Sequence, residues 1–102
     1  MPTQIRKRNG KLVPFDAEKI RIAIHKANQS VQGEEITTSG LDKLTHAIIG
    51  RLPAGEIPAV EQVQDLVEEE LIAADYAKTA KAYILYRAEH AKIRQAEGDL
   101  MD

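Results

Sequence analysis

The stretch IRKRNGKLVPFDAEKI (residues 5–20) holds a turn, a helix start and five cations. Asn9-Gly10 between short β-compatible segments signals a two-residue type I′ hairpin, because both central residues of that turn need φ > 0. Gln4–Arg8 and Lys11–Pro14 are the expected strands, with Ile5, Leu12 and Val13 as their apolar side chains. Pro14 ends the second strand, and Asp16 reads as the N-cap of the next helix. Arg6, Lys7, Arg8 and Lys11 crowd the turn, and Lys19 sits in the helix's first turn, where the backbone already presents partial positive charge. The pattern fits either an anionic ligand or a charged edge that resists pairing with another chain.

Strand alternation puts Ile5 and Lys7 on one face of the hairpin and Arg6 and Arg8 on the other. If the Ile5/Lys7 face covers the N-terminus of the first helix, an apolar surface and an ammonium group share a pocket with free backbone N–H groups. Apolar surface for a base and two or three cations for phosphates suit a nucleoside triphosphate. Lys19 is then a phosphate ligand, or else a solvated surface residue. Asp16 is the cap, or instead accepts a hydrogen bond from a sugar hydroxyl or base amine. There is no Walker-type glycine loop, so phosphate binding would rest on side chains and the helix end.

Four helical patterns follow. Ile20, Ala23, Ile24, Ala27 and Val31 recur at helical spacing, as do Leu41, Leu44, Ile48 and Leu52, the second set capped by Thr38 or Ser39. The third pattern starts at Pro58 and carries Val60, Val63, Val67, Leu71 and Ala74. The fourth runs from about Tyr76 past Arg87, with Ile84, Leu85 and Ala88 on a broad apolar face. Glu56-Ile57 is expected to add a third rung to the hairpin, which alone would be marginal in water. The expected fold is mainly α: a four-helix bundle capped by a small three-stranded β-sheet, the N-terminal hairpin plus a short strand near Ile57. Residues 1–94 form the domain, and 95–102 are a polar tail expected to fray.

At 102 residues the chain is one domain with a mainly aliphatic core, having one Phe, three Tyr and no Trp. The absence of cysteine excludes disulfides, thiolate metal sites and thiol chemistry. No signal peptide or membrane-length apolar run is evident, and a cytoplasmic location is expected. The net charge of −2 is unevenly distributed. Residues 1–26 carry seven Lys/Arg against two acids, and residues 27–75 two against ten, which suits a localised anion site.

The segment KRNGKLVPFDAEKI, with Ile5 before it, resembles the opening motif of the ATP-cone domain, a Lys-Arg-Asp/Asn-Gly hairpin followed by Phe-Asp and Lys-Ile. VEQVQDLVEEELI (60–72) and AKAYILYR (80–87) are similar to the family's third and fourth helices, so the resemblance covers roughly residues 4–94. It implies a regulatory domain, not an enzyme, that binds ATP or dATP as effector, with Mg²⁺ accompanying the phosphates. The family sits mostly at the N-terminus of ribonucleotide reductases, where dATP switches activity off and ATP keeps it on through subunit association. The implied partners are the remainder of the reductase or its other subunit, with a possible nucleotide-dependent homo-oligomer and no membrane.

Matched residue by residue, the resemblance makes Lys7, Arg8 and Lys19 phosphate contacts, Ile5 and Ile20 apolar contacts near the base, and Asp16 a polar contact to base or sugar. Glu61 falls near a family position facing the site, and Lys81 and Arg87 are further candidate phosphate partners. Arg8, pointing away from Lys7 in a regular strand, needs either a twist at the turn or a second nucleotide. No catalytic domain, radical-transfer cysteine or zinc ribbon accompanies the motif, so the expectation is an isolated cone or the N-terminal part of a longer protein. Two alternatives stand beside it: an ATP-cone from a transcriptional regulator, and a nucleic-acid-binding module using the basic hairpin. The second is weakened by the acidic body and the lack of stacking aromatics. His25, His46 and His90 lack metal-ligand spacing, and Glu68–Glu70 read as a solvated helix face.

Overall fold

The computed structural model describes the backbone of residues 1–101 and the side chains of residues 1–92. Strands β1 (Gln4–Arg6) and β2 (Leu12–Pro14) precede helices α1 (Ala17–Gln29), α2 (Thr38–Gly50), α3 (Val60–Ala73) and α4 (Ala77–Met101). The helices close a ring in which α1 touches α2 and α4, and α3 touches α2 and α4. The 95–102 tail read from the sequence has side chains that lie outside the described residues.

Helices α1, α2 and α3 bury most of the stripe their periodicity announces. Ile20, Ile24 and Ala27 of α1 meet Leu41, Leu44 and Ile48 of α2, Val63, Val67 and Leu71 of α3, and Ala80 and Tyr83 of α4 in one core. Val31, counted with the first stripe, lies beyond α1, whose last turn closes as Ser30 N–H and Oγ both donate to the Ala27 carbonyl. Asp16 caps α1, accepting from Glu18 N–H at 3.1 Å. The α2 cap is Thr37 rather than Thr38 or Ser39, accepting from Gly40 N–H at 3.0 Å.

The apolar face expected on α4 is corrected. Ile84 and Leu85 are 44% and 64% exposed, and Ala88 is exposed too. Thr79, Ala80 and Tyr83 point inward instead. The reason lies at the start of α4. Tyr76, the residue before it, has no short side-chain oxygen to cap the free N–H groups, and Glu34 from the α1–α2 loop supplies the cap. The Glu34 carboxylate accepts from Thr79 N–H at 2.8 Å and Lys78 N–H at 3.1 Å. Buried Asn28 donates to Thr79 Oγ1 at 2.9 Å and to the Glu34 carbonyl, and accepts from Ile36 N–H at 3.0 Å. These bonds fix the rotation of α4, and at 100° per residue they turn Ile84 and Leu85 away from the core. Just upstream, α3 ends in a Schellman motif: Asp75 takes φ +67°, and Tyr76 N–H donates to the Leu71 carbonyl at 2.8 Å.

Among the described residues only two strands form, in the antiparallel register Ile5↔Val13, so the expected three-stranded sheet is corrected to a two-stranded one. The expected third strand near Ile57 is reduced to a single parallel bridge between Arg6 and Ala59, in which Arg6 N–H donates to the Pro58 carbonyl at 2.9 Å. Pro58 has no N–H to donate, and Ala59 is already the N-cap of α3, so α3 begins at Val60 and no length remains for a strand.

The turn also differs from expectation. Gly10 has φ +86°, but Asn9 is not in the positive-φ region. Gly10 N–H donates to the Lys7 carbonyl and Lys7 N–H to the Lys11 carbonyl, both at 2.9 Å. The Asn9 side chain accepts from Lys11 N–H at 3.0 Å. This is a three-residue loop, Arg8-Asn9-Gly10, built as a type I turn with a glycine bulge. The type I′ turn would have paired Ile5 with Pro14, one residue out of the observed register.

Asn28→Ala is expected to lower the free energy of unfolding in urea by about 2–3 kcal/mol, because it orphans the buried Ile36 N–H and takes the donor from the buried Thr79 hydroxyl oxygen. Glu34 gives a pH signature. Partial desolvation opposes its charged form, but the Thr79 and Lys78 N–H groups outweigh it and hold the carboxyl below its ordinary value. A depressed folded pKa contributes stability above the unfolded value that is lost as pH falls through the folded one. Glu34→Gln should therefore narrow its stability deficit against wild type as urea titrations move from neutral pH to below pH ~4.

Candidate functional site

A cleft of about 380 Å³ opens between the hairpin, the start of α1, α3 and the middle of α4. That volume lies in the range of small-molecule sites. The hairpin contributes Ile5, Lys7, Arg8 and Val13. Pro14, Phe15 and Asp16 line the connection into α1, which adds Lys19, Ile20, Ile22, Ala23 and Lys26. Val60, Val63, Gln64 and Val67 come from α3, and Tyr83, Tyr86 and His90 from α4.

The cleft joins an apolar wall to a cationic rim. Ile5 and Val13 project from one face of the paired strands, as the observed register requires, and Phe15 and Ile5 pack against the core. Among the described residues, Lys7, Arg8, Lys19 and Lys26 are its cations, and Asp16 is its one carboxylate. Among the described residues, Lys7, Lys19 and Lys26 form no ion pair, whereas Arg21, Arg51 and Arg87 are each held by two carboxylates. Converging unpaired ammonium groups repel one another, and an anion among them removes that cost. Asp16 spends Oδ1 on the α1 cap and keeps its other oxygen free for a second acceptor role. The Tyr86 and His90 rings lie 4.2 Å apart between centroids, and burial raises the Tyr83 phenol pKa well above its ordinary value, so Tyr83 stays a neutral hydroxyl.

Of the residues singled out from the sequence, Ile5, Lys7, Arg8, Asp16, Lys19 and Ile20 all line the cleft. Arg8 reaches it because the bulged turn redirects its side chain, which also donates to Glu61 and, at 3.0 Å, to the Gln64 side-chain oxygen. Glu61 is not part of the cleft wall; it holds Arg8 from behind. Lys81 is exposed on α4, away from the cleft. Arg87 is turned toward α3, donating to Asp65 at 2.7 Å and Glu68 at 3.1 Å. It borders a separate hollow with Arg8, Glu68, Ile84, Ala88 and Ala91. Sequence reasoning missed Lys26, Tyr86 and His90. The seven-residue step from Lys19 to Lys26, two helical turns, was a usable signal for the first. Nothing local marks the other two, which join the site only because α4 packs on α1.

The sequence fits the ATP cone domain family over residues 3–92. It is 38% identical over 106 aligned residues to the vitamin B12-dependent ribonucleoside-diphosphate reductase of Thermoplasma acidophilum, an alignment covering 99% of this chain and 13% of that protein. The enzyme of the same name from Mycobacterium tuberculosis is 35% identical over 96 residues, covering 94% of this chain and 13% of the relative. The anaerobic ribonucleoside-triphosphate reductase of Escherichia coli is 29% identical over 101 residues, covering 98% and 14%. The chain thus spans only 13–14% of the length of these relatives.

Arg87→Ala is expected to cost about 1–2 kcal/mol in urea denaturation, since it strands Asp65 and Glu68 on α3 while leaving the cleft lysines in place.

Proposed function

The chain belongs to the ATP cone domain family, and we propose that it is the nucleotide-sensing domain of a ribonucleotide reductase, binding ATP or dATP in the cleft and altering subunit association. The observation that carries this reading is the meeting of unpaired lysines from the hairpin and α1 with an apolar wall in one cleft. In the proposed complex Lys7, Arg8 and Lys19 contact the phosphates, with α1's first-turn N–H groups behind them. Ile5 and Ile20 flank the base, and the free oxygen of Asp16 accepts from a base amine or sugar hydroxyl. Lys81 and Arg87 lie outside the cleft and take no part in this pose.

Mg²⁺ enters with the phosphates. Among the described residues, Asp16 is the single carboxylate of the cleft, and no group of three metal-ligating side chains occurs. The domain is a binder rather than an enzyme: its output is a shift between assemblies, which requires that ATP and dATP favour different ones. Their one chemical difference is the 2′-hydroxyl, so the polar contact near the ribose has to be coupled to an interface. The partner surface belongs to the remainder of the reductase, its other subunit or a second copy of this chain. The nucleotide pool it would sense places it in the cytoplasm; among the described residues no helix is long and apolar enough to cross a membrane. Cations gathered in a concave site beside an acidic body favour a compact polyanion over a nucleic-acid strand.

Calorimetric titration with ATP, dATP and GTP in Mg²⁺, followed by sedimentation of the same samples, tests the proposal. Micromolar binding of the adenine nucleotides that GTP does not match is expected, with a mass change on dATP. Lys19→Ala should weaken both nucleotides by about 1.5–3 kcal/mol, the worth of a charge-assisted hydrogen bond. An unchanged affinity would remove Lys19 from the site.

A further inference from the structure

We propose that Glu61 is a built-in competitor for Arg8, so that an anion entering the cleft must take the Arg8 guanidinium away from α3; the inference rests on the nucleotide-site reading above. Arg8 lies on the boundary of two spaces, the cleft and the hollow against Arg87 and Ile84. Its guanidinium is turned to α3, donating through Nη1 to Glu61 and through Nη2 to Gln64 at 3.0 Å. Glu61 is the acid in this arrangement that does not line the cleft. It therefore acts on a ligand through Arg8.

The contact is built to be given up. The two side chains are 27% and 57% exposed, so water screens the pair. Glu61 stands in the first turn of α3, where Ala59 supplies no side-chain cap, and the positive end of the helix favours a carboxylate with or without Arg8. Arg87 is the contrast: it is less exposed and bound by both Asp65 and Glu68. A polyphosphate offers Arg8 bidentate geometry and more charge than one carboxylate can. When Arg8 moves to it, the hollow beside Ile84 loses one of its walls, so occupancy of the cleft is registered on the outer side of α3 and α4.

The test is calorimetric titration of the 102-residue chain with Mg-ATP and with inorganic tripolyphosphate, using wild type, Glu61→Gln, Arg8→Gln and the double variant. Thermal melts of each check folding. Removing the competitor should tighten binding about two- to fivefold, the span of an exposed ion pair. That gain should vanish in the Arg8→Gln background. Equal or weaker binding by Glu61→Gln would mean that Glu61 positions Arg8 for the ligand, and would overturn the proposal. A gain that persists without Arg8 would reduce Glu61 to general charge repulsion and overturn it equally. If wild type binds tripolyphosphate but shows no preference for ATP, the adenine reading fails and the competition stands on its own data. If wild type binds neither, both fall.

Discussion

The arrangement of the bundle depends on a helix cap that the helix does not carry. The start of α4 has no capping side chain of its own, and Glu34 from the α1–α2 loop accepts its free N–H groups. Asn28, at the end of α1, closes the same knot by binding Thr79, the Glu34 carbonyl and Ile36 N–H. Three separated segments are thereby held at one point, and the rotation of α4 follows from it. Tyr83 turns into the core while Tyr86 and His90 face α1 across the cleft. The site's far wall is thus set by polar bonds at the opposite end of the helix pair. Hydrophobic burial holds the helices together, but it tolerates rotation; satisfied buried polar groups do not.

Charge is divided by residue type as well as by position. Arg21, Arg51 and Arg87 tie helices together through Asp42, Glu69, Glu70, Asp65 and Glu68. Their planar, multi-donor heads suit fixed geometry. The cleft instead collects lysines, whose ammonium groups sit on flexible stems. Arg8 belongs to both sets, bonded to α3 and open to the cleft. The acidic middle of the chain is therefore largely a structural counterpart of these arginines, not a field aimed at a partner.

The helices were legible because their signal is local: apolar residues three and four apart identify Ile20, Ile24, Leu41, Leu44, Val63, Val67 and Leu71 without reference to the rest of the chain. The near wall of the site was legible for the same reason, since Ile5, Lys7, Asp16, Lys19 and Ile20 lie within sixteen residues of sequence. What escaped was set at a distance. Ile84 and Leu85 look like a core face until Asn28 and Glu34 rotate α4. His90 has no local mark of its place in the cleft. Asn9-Gly10 serves two turn types, which differ in whether Lys11 N–H donates to the Asn9 side chain, as observed, or to the Arg8 carbonyl.

That choice limits how the hairpin can vary over evolutionary time. Exposed turns ordinarily accept insertions and deletions freely, because little packs against them. Here the count of three residues between Lys7 and Lys11 fixes the Ile5↔Val13 pairing and aims Arg8. Closing the same segment as a two-residue turn on Asn9-Gly10 would carry the strands into a register one step away, sending alternate side chains to the opposite face. A loop with almost no buried surface is consequently constrained at two positions, Gly10 by its φ of +86° and Asn9 by its bond to Lys11 N–H. Variation at either should be read first as a change of turn type, and only then as a change of surface.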